Sequence, residues 1–595
     1  MPQYRAPIRD YQFVLHELLE LDQFAALERF NEASADTINA VLQQGARFCE
    51  EVLHPLQRVG DVEGCTFDAG SVKTPNGFKQ AYADYVEGGW PSLSGDPAYG
   101  GQGLPDFLNL AFGEMTTSTN MAFYMYPGLI APAVRSLCAG GSRDQKDRYL
   151  PKLVSGEWGA TMNLTEPHCG TDLGLLRTKA VPNADGSYAI TGQKIWITSG
   201  EHDLTENIIH LVLARIEGGP SGSKGISLFL VPKFLLDEND VPGERNLLAC
   251  GGLEEKMGLH GSATCVMNYD GAKGWLIGEP HKGLMIMFHM MNEARLGCGM
   301  QGLALAETAY QYALAFAKDR LQGRALTGDK TPDQMADPII VHPDVRRMLM
   351  DQKVFVEAGR ALLMWVAVYG DLEQSAEDDA VREKASDYMA LLTPVVKAYL
   401  TDKGYESISA GLQVHGGSGF TEEWGMSQLL RDARITQIYE GTNGVQALDL
   451  VGRKLTLNGM RPIRTFFAEI DDFIQVHSNT AELSEFLSGL ADAKTKLEDA
   501  TDWLVTHTAE NPDNAGAGST DYLHLFGLTA FAYMWARMAK VANEKVQAGS
   551  DDPIYAAKLT TGRFFLKRWL PEAETRLANV KSGAAMVMAL PVDQF

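Results

Sequence analysis

The 595 residues predict a mainly α protein with a central β domain and an extra helical block at the C-terminus, because the texture of the chain changes three times. Residues 36–157 recur in apolar character at helical spacing, from about 158 short β-branched and aromatic runs take over, and beyond 281 the helical spacing returns. A chain of this length exceeds one ordinary core, so several packed domains are expected.

The first 35 residues form an N-terminal extension with a short amphipathic run, YRAPIRDYQFVLHELL. Residues 36–157 hold INAVLQQGARFCEEVLHPL and LNLAFGEM, interrupted by the glycine-rich loop SGDPAYGGQGLP. The middle domain, 158–280, contains YAITGQKIWIT, IIHLVLARI and GISLFLVP, separated by NADGS and EGGPSGSKG, the pattern of strands between turns. In 281–460 one face of a long helix gathers Leu303, Ala306, Tyr310, Ala313, Leu314 and Ala317, small enough in part for close helix packing. After the break GMRP, residues 461–595 are again helical, with NPDNAGAGST at 511–520 expected as a mobile loop.

Charge narrows the function classes. Lys and Arg number 52 against 76 Asp and Glu, a net charge of −24 that repels nucleic acid and anionic membrane. The start lacks the layout of a secretory signal and no apolar stretch is long enough to cross a bilayer, which predicts a cytoplasmic protein without membrane insertion. Seven scattered cysteines, without a CxxC pair, read as reduced packing thiols, and no metal site is expected.

Four stretches could carry chemistry. LTEPHCGTD (164–172) has the small and hydroxyl residues that let backbone N–H groups face an oxygen-rich ligand, or it merely turns. KIWITSG (194–200) places Trp196 and Thr198 on one side of a strand, an aromatic plate beside a hydroxyl suited to a flat heterocycle, although a core tryptophan reads the same way. QVHGGSGF (413–420) permits close backbone approach at Gly416, Gly417 and Gly419, yet lacks the strand-then-helix context of a nicotinamide fingerprint. In QIYEGTNG (437–444), Glu440 leaves the backbone between a strand-like apolar end and a small-residue corner. It is either a helix-start glutamate at a surface turn or a carboxylate free to reach a substrate, whose basicity an apolar cavity would raise.

In this order YGGQGL, LTEPHCGTD, KIWITSG, NEARLGCGMQG, DRLQGR, QVHGGSGF and RDARITQIYEGTNGVQALDL resemble the acyl-CoA dehydrogenase family over roughly residues 36–455. The N-terminal segment and C-terminal block resemble its larger bacterial subgroup, which includes 3-methylmercaptopropionyl-CoA dehydrogenases and enzymes of medium or long fatty acyl-CoA. The resemblance implies a helical domain, a β-barrel-like domain and a helical bundle. It implies FAD as cofactor, an acyl-CoA substrate, an electron-transfer flavoprotein as acceptor, and a homodimer or homotetramer.

It also implies roles. Glu440 matches the catalytic base, since the alternative position before Arg295 is Ala294 here. Thr165, Gly170, Thr171, Trp196, Ile197, Thr198 and Thr442 fall on the flavin side, and Arg320, Gln413, Gly416 and Gly417 on the dinucleotide of a neighbouring subunit. Thr171, Asn292 and Arg295 match the substrate pocket. His168, Cys169, the LQGR after Arg320, and Gly444 depart from the usual pattern. An acyl-CoA oxidase, distinguished by peroxide formation, is the alternative within enzymes. A flavin-containing DNA-binding relative is disfavoured by 18 acidic against 11 basic residues from about 465 onward.

Overall fold

The computed structural model describes residues 2–595. Two compact units divide the chain, one of Gln44–Gly297 and one of Met1–Gln43 with Cys298–Phe595.

Gln44–Gly297 begins with helices Phe78–Glu87, Asp106–Tyr124, Ile130–Gly140 and Arg143–Val154. The last starts on a capping box, Ser142 accepting from the Gln145 backbone N–H while the Gln145 side chain accepts from that of Ser142. A two-stranded ribbon, Thr66–Asp68 with Ser71–Lys73, sits in this otherwise helical stretch and was not expected from the sequence. Its residues are mostly exposed, so no hydrophobic alternation marks it.

The β part is a seven-stranded sheet that closes on itself. Ile226–Pro232 pairs antiparallel with both Asn207–Ile216 and Thr264–Ile277, joining strands that the rest of the sheet connects through Tyr188–Thr198 and Lys179–Pro182. Closure removes most free edges. The run NIIHLVLARI explains how two faces are filled at once: Ile209, Leu211 and Leu213 join the cluster formed by Leu137 and Leu150 on the helices and Trp158 on strand Trp158–Asn163, which pairs parallel with it. The alternate residues Ile208, His210 and Val212 are also fully buried, on the opposite face. His210 meets Thr161 Oγ1 at 2.7 Å across the parallel pair, and burial lowers its pKa to about 3, so this imidazole is neutral.

The second unit is built on the helix ending at Asp319, on Pro343–Ser375 and on Asp379–His415. Gly302 and Gly404 let two of these helices touch: a Cβ at Gly404 would lie 2.5 Å from the Gly302 carbonyl oxygen. Helices Arg461–His477, Ser484–Glu510, Asp513–Gln547, Pro553–Arg568 and Glu572–Ser582 follow. The mobile loop expected at 511–520 is instead the start of Asp513–Gln547, with Ala515, Gly518 and Ser519 buried. Its small residues serve packing: a Cβ at Gly518 would lie 3.3 Å from Leu504 Cδ2 and 3.6 Å from Val580.

The N-terminal segment belongs to this unit. Tyr11, Phe13, Val14 and Leu15 are fully buried, and Asp10 accepts from Lys558 Nζ and Arg360 Nη1, each at 2.5 Å. No helix among the described residues is long and apolar enough to cross a membrane, and all seven cysteines are unbridged.

Candidate active site

In the Gln44–Gly297 unit the structure brings the first two motifs together. Loop 164–172 is pinned to strand Tyr188–Thr198, because the Ile195 N–H donates to the Thr165 carbonyl at 3.0 Å and Lys194 Nζ donates to the Leu164 carbonyl at 2.9 Å. Glu166 accepts from Lys194 Nζ at 2.9 Å, from both N–H and hydroxyl of Thr178, and from the Arg177 N–H. Burial pushes the Glu166 carboxyl up, but Lys194 and these donors outweigh it and hold it below its ordinary value. The loop then folds back on itself through reciprocal Glu166 and Cys169 backbone bonds, and His168 Nε2 donates to the Leu175 carbonyl at 2.9 Å.

One departure in the motif, His168, thus stiffens the loop through its side chain. Ligand atoms of Glu166, His168 and Cys169 lie within 4.8 Å of one another, yet the carboxylate oxygens are already occupied by protein donors. Thr165 is half-buried, and Gly170 and Thr171 are exposed.

Simple strand alternation does not hold at KIWITSG. Thr198 pairs with Thr264 and Ile197 with Cys265, but Lys194 already pairs with Met267, so Ile195 and Trp196 both oppose Val266 in a bulge. Trp196 has φ +58° and is 61% exposed, while Lys194 and Ile197 are buried. A non-glycine residue with left-handed backbone costs about 1–2 kcal/mol, so this outward-facing indole is held under strain. Asn292 and Arg295 lie one helical turn apart, with Arg295 buried and its Nη1 3.4 Å from Asn292 Oδ1.

In the other unit, Arg320 lies over the Phe316 ring at 4.8 Å, and Phe316 packs on His415 at 4.6 Å and Trp424 at 4.9 Å. Arg320 therefore stands beside the helix end that carries Gln413, Gly416 and Gly417. All four are exposed, and nothing lies within 4 Å of a Cβ placed on either glycine.

The corner at 437–444 lies further along Asp379–His415; Asp402, its anchor, is eleven residues before Gln413, about 16 Å of helix. The segment entering the corner is a 3-10 turn, Arg434–Gln437, and not a strand end, and Ile438 is 46% exposed. Glu440 and Gly441 have φ +58° and +83°, and Thr442 then caps helix Asn443–Asp449. Gln446 Nε2 donates to the Glu440 carbonyl at 3.1 Å. Tyr439 donates to Gln301 Oε1.

Residues that the sequence left unassigned hold this corner. Lys397, fully buried, donates to Asn443 Oδ1 at 2.7 Å. Asn443 Nδ2 donates to Asp402 Oδ1 at 2.7 Å and Thr401 Oγ1 at 2.9 Å. Burial, with the Glu440 charge adding to it against Lys397, pushes the neighbouring Cys298 thiol up to about 12. The one sequence signal was Asn443 itself, which is more than a turn residue.

A closed β-barrel between helical stretches, followed by a helical bundle, defines an acyl-CoA dehydrogenase fold. Family models described as the acyl-CoA dehydrogenase N-terminal, middle and C-terminal domains match residues 36–157, 161–272 and 281–455, and one described as acetyl-CoA dehydrogenase C-terminal like matches 466–591. The chain belongs to the acyl-CoA dehydrogenase family.

Within that family it is similar to the 3-methylmercaptopropionyl-CoA dehydrogenase of Ruegeria pomeroyi, 42% identical over 97% of this chain and 98% of the relative. It is also similar to the broad-specificity linear acyl-CoA dehydrogenase FadE5 of Mycobacterium tuberculosis, 36% identical over 96% of each. The crystal structure of Caenorhabditis elegans ACDH-11 in complex with C11-CoA shares the fold, with a TM-score of 0.78 at 18% identity over 96% of this chain and 92% of that one.

Proposed function

We propose that this chain dehydrogenates an acyl-CoA thioester between Cα and Cβ, giving the trans-2-enoyl-CoA, with Glu440 as the base that removes the α proton. The observation that carries this reading is the Glu440 corner: a carboxylate on strained left-handed backbone, fixed by buried partners on both flanks. Such strain persists where the surroundings over-determine it, and it gathers at working sites.

FAD, when bound, supplies the hydride acceptor for the β hydrogen. The residues suit a dinucleotide carrying a flat ring. Trp196 presents an exposed indole beside Thr198 and the 164–172 loop. Gly416 and Gly417 leave open backbone beside the Arg320 guanidinium, which pairs with phosphate. Thr165, Gly170, Thr171, Trp196, Ile197, Thr198 and Thr442 are assigned to holding it, Arg320, Gln413, Gly416 and Gly417 to holding the dinucleotide of a neighbouring subunit, and Thr171, Asn292 and Arg295 to the substrate.

An α hydrogen beside a thioester is weakly acidic, so the carboxylate needs help. The Glu440 backbone N–H is assigned to the thioester oxygen, where its hydrogen bond strengthens as negative charge develops. Position and exclusion of water do the rest. Electrons then leave to an electron-transfer flavoprotein, from a cytoplasmic dimer or tetramer. Similarity to the two relatives favours 3-methylmercaptopropionyl-CoA or a linear acyl-CoA as substrate.

Glu440→Gln tests the assignment: the yellow protein retains FAD and binds acyl-CoA, but anaerobic addition of acyl-CoA no longer bleaches it. Unchanged bleaching rejects Glu440. A panel of 3-methylmercaptopropionyl-CoA and straight-chain thioesters with a dye acceptor ranks the substrates.

A further inference from the structure

One carboxylate ties the Glu440 corner to the C-terminal helical block. Asp402 Oδ1 accepts from Gln437 Nε2 and from Asn443 Nδ2, both at 2.7 Å, three residues to either side of Glu440. Asp402 Oδ2 lies 3.0 Å from Nε2 of His524 on helix Asp513–Gln547. His524 is 5% exposed and packs edge-on against Tyr399. Its Nδ1 is buried without a hydrogen-bond partner among the described residues. A proton there would leave a buried donor unsatisfied, so the proton is assigned to Nε2, which donates to Asp402.

Burial opposes a charged Asp402, but the donors His524, Gln437 and Asn443 outweigh it and hold the carboxyl below its ordinary value. An ionised Asp402 serves the corner well. A carboxylate only accepts, so its two oxygens can take the Gln437 and Asn443 amides together on one side and His524 on the other.

We propose that Asp402 and His524 are positioning residues for the reaction: His524, from the C-terminal block, sets the orientation of Asp402, and Asp402 clamps both flanks of the corner bearing Glu440. The proposal rests on the reading of Glu440 as the base. The consequence is that the block matched at 466–591 enters catalysis by fixing a corner formed within 281–455. The two backbone positions of positive φ at Glu440 and Gly441 lie between Gln437 and Asn443, which Asp402 holds, with Gln446 bonded to the Glu440 carbonyl.

The test uses full-length, FAD-loaded His524→Leu, His524→Gln and wild type with whichever acyl-CoA wild type oxidises fastest. A misplacement of about 1 Å can cost about 100-fold in rate. His524→Leu is therefore expected to slow anaerobic bleaching by about 10–100-fold with FAD content and acyl-CoA affinity nearly unchanged. It also speeds hydrogen–deuterium exchange in the peptide spanning 437–446. His524→Gln, whose amide reproduces the Nε2 donor, restores both rate and protection.

Wild-type bleaching or wild-type exchange in His524→Leu overturns the proposal, as does a His524→Gln as slow as His524→Leu. Should His524→Leu not accumulate as folded protein, Asp402→Asn, which cannot accept from Nε2–H at the amide position, takes its place, and a wild-type rate from it is equally fatal. Glu440→Gln in the same experiment separates the two ideas. If it bleaches normally the base assignment falls; if it is silent while His524→Leu is normal, only the clamp falls.

Discussion

Gly441→Ala probes the corner with a single methyl group. At φ +83° an alanine costs about 1–2 kcal/mol. The new Cβ would also lie 2.6 Å from Gln446 Nε2, the atom that donates to the Glu440 carbonyl. Gln446 is fully buried and cannot swing into water, so the hydrogen bond is lost, at about 0.5–1.5 kcal/mol. The total is about 1.5–3.5 kcal/mol. If the chain relieves it by leaving the left-handed conformation, the competent population falls by about 10–300-fold, at 1.4 kcal/mol per decade.

If the conformation is kept, the load appears as stability. Unfolding entropy of about 2.1 cal/mol/K per residue over Met1–Gln43 with Cys298–Phe595 converts it to a midpoint loss of about 2–5 °C. Rapid-mixing anaerobic bleaching and thermal melts of the same preparation read the two branches. Gly444→Ala is the control for stability: nothing lies within 4 Å of its Cβ and its φ is ordinary, so in a helix it gains up to about 1 kcal/mol. A Gly441→Ala protein with both wild-type rate and wild-type midpoint refutes the reasoning.

Arg360→Met removes a fully buried guanidinium from Asp10 and from Glu307 Oε2, at 2.8 Å; about 3–5 kcal/mol is lost, and adding Asp10→Asn with Glu307→Gln recovers part of it, as thermal melts will show. Asp10 gives a pH signature. Burial alone would raise its pKa, but Lys558 and Arg360 drive it far below the usual carboxylate range. A carboxyl depressed in the folded state contributes in full above its unfolded pKa of about 4, and the contribution drains away as pH falls below that. The stability gap between wild type and Asp10→Asn is thus constant from pH 7 to about 5 and narrows below 4 in denaturant titrations. Trp196→Gly relieves the strained backbone at little packing cost because the indole is mostly exposed; the apoprotein melts no lower than wild type, while FAD retention on a desalting column falls.

Much of the fold was readable locally. Runs such as IIHLVLARI and GISLFLVP mark strands by β-branched content, and small residues on one helix face announce close packing of the kind seen between Gly302 and Gly404. What escaped was non-local or compositional. Barrel closure depends on Ile226–Pro232 pairing with two distant strands, which no window of sequence encodes. The stretch 511–520 has loop composition, yet its glycines and alanines fill tight helix contacts.

At the candidate site the turn at Gly441 was legible from its residues, whereas the bulge at Ile195 and Trp196 was not, because register is set by the partner strand. Lys397, Asp402 and His524 look like ordinary helix residues in sequence. Only the packing of three helices turns them toward the corner.

The anchorage of Asp10 has a consequence for biosynthesis. Its partners Arg360 and Lys558 lie 350 and 548 positions downstream. At about 5–20 residues per second the ribosome delivers Lys558 some half a minute to two minutes after Asp10. Throughout that interval Phe13, whose ring packs against Tyr555 and Lys558, has no finished cavity to enter, so the apolar run at 13–15 stays exposed until translation is all but over.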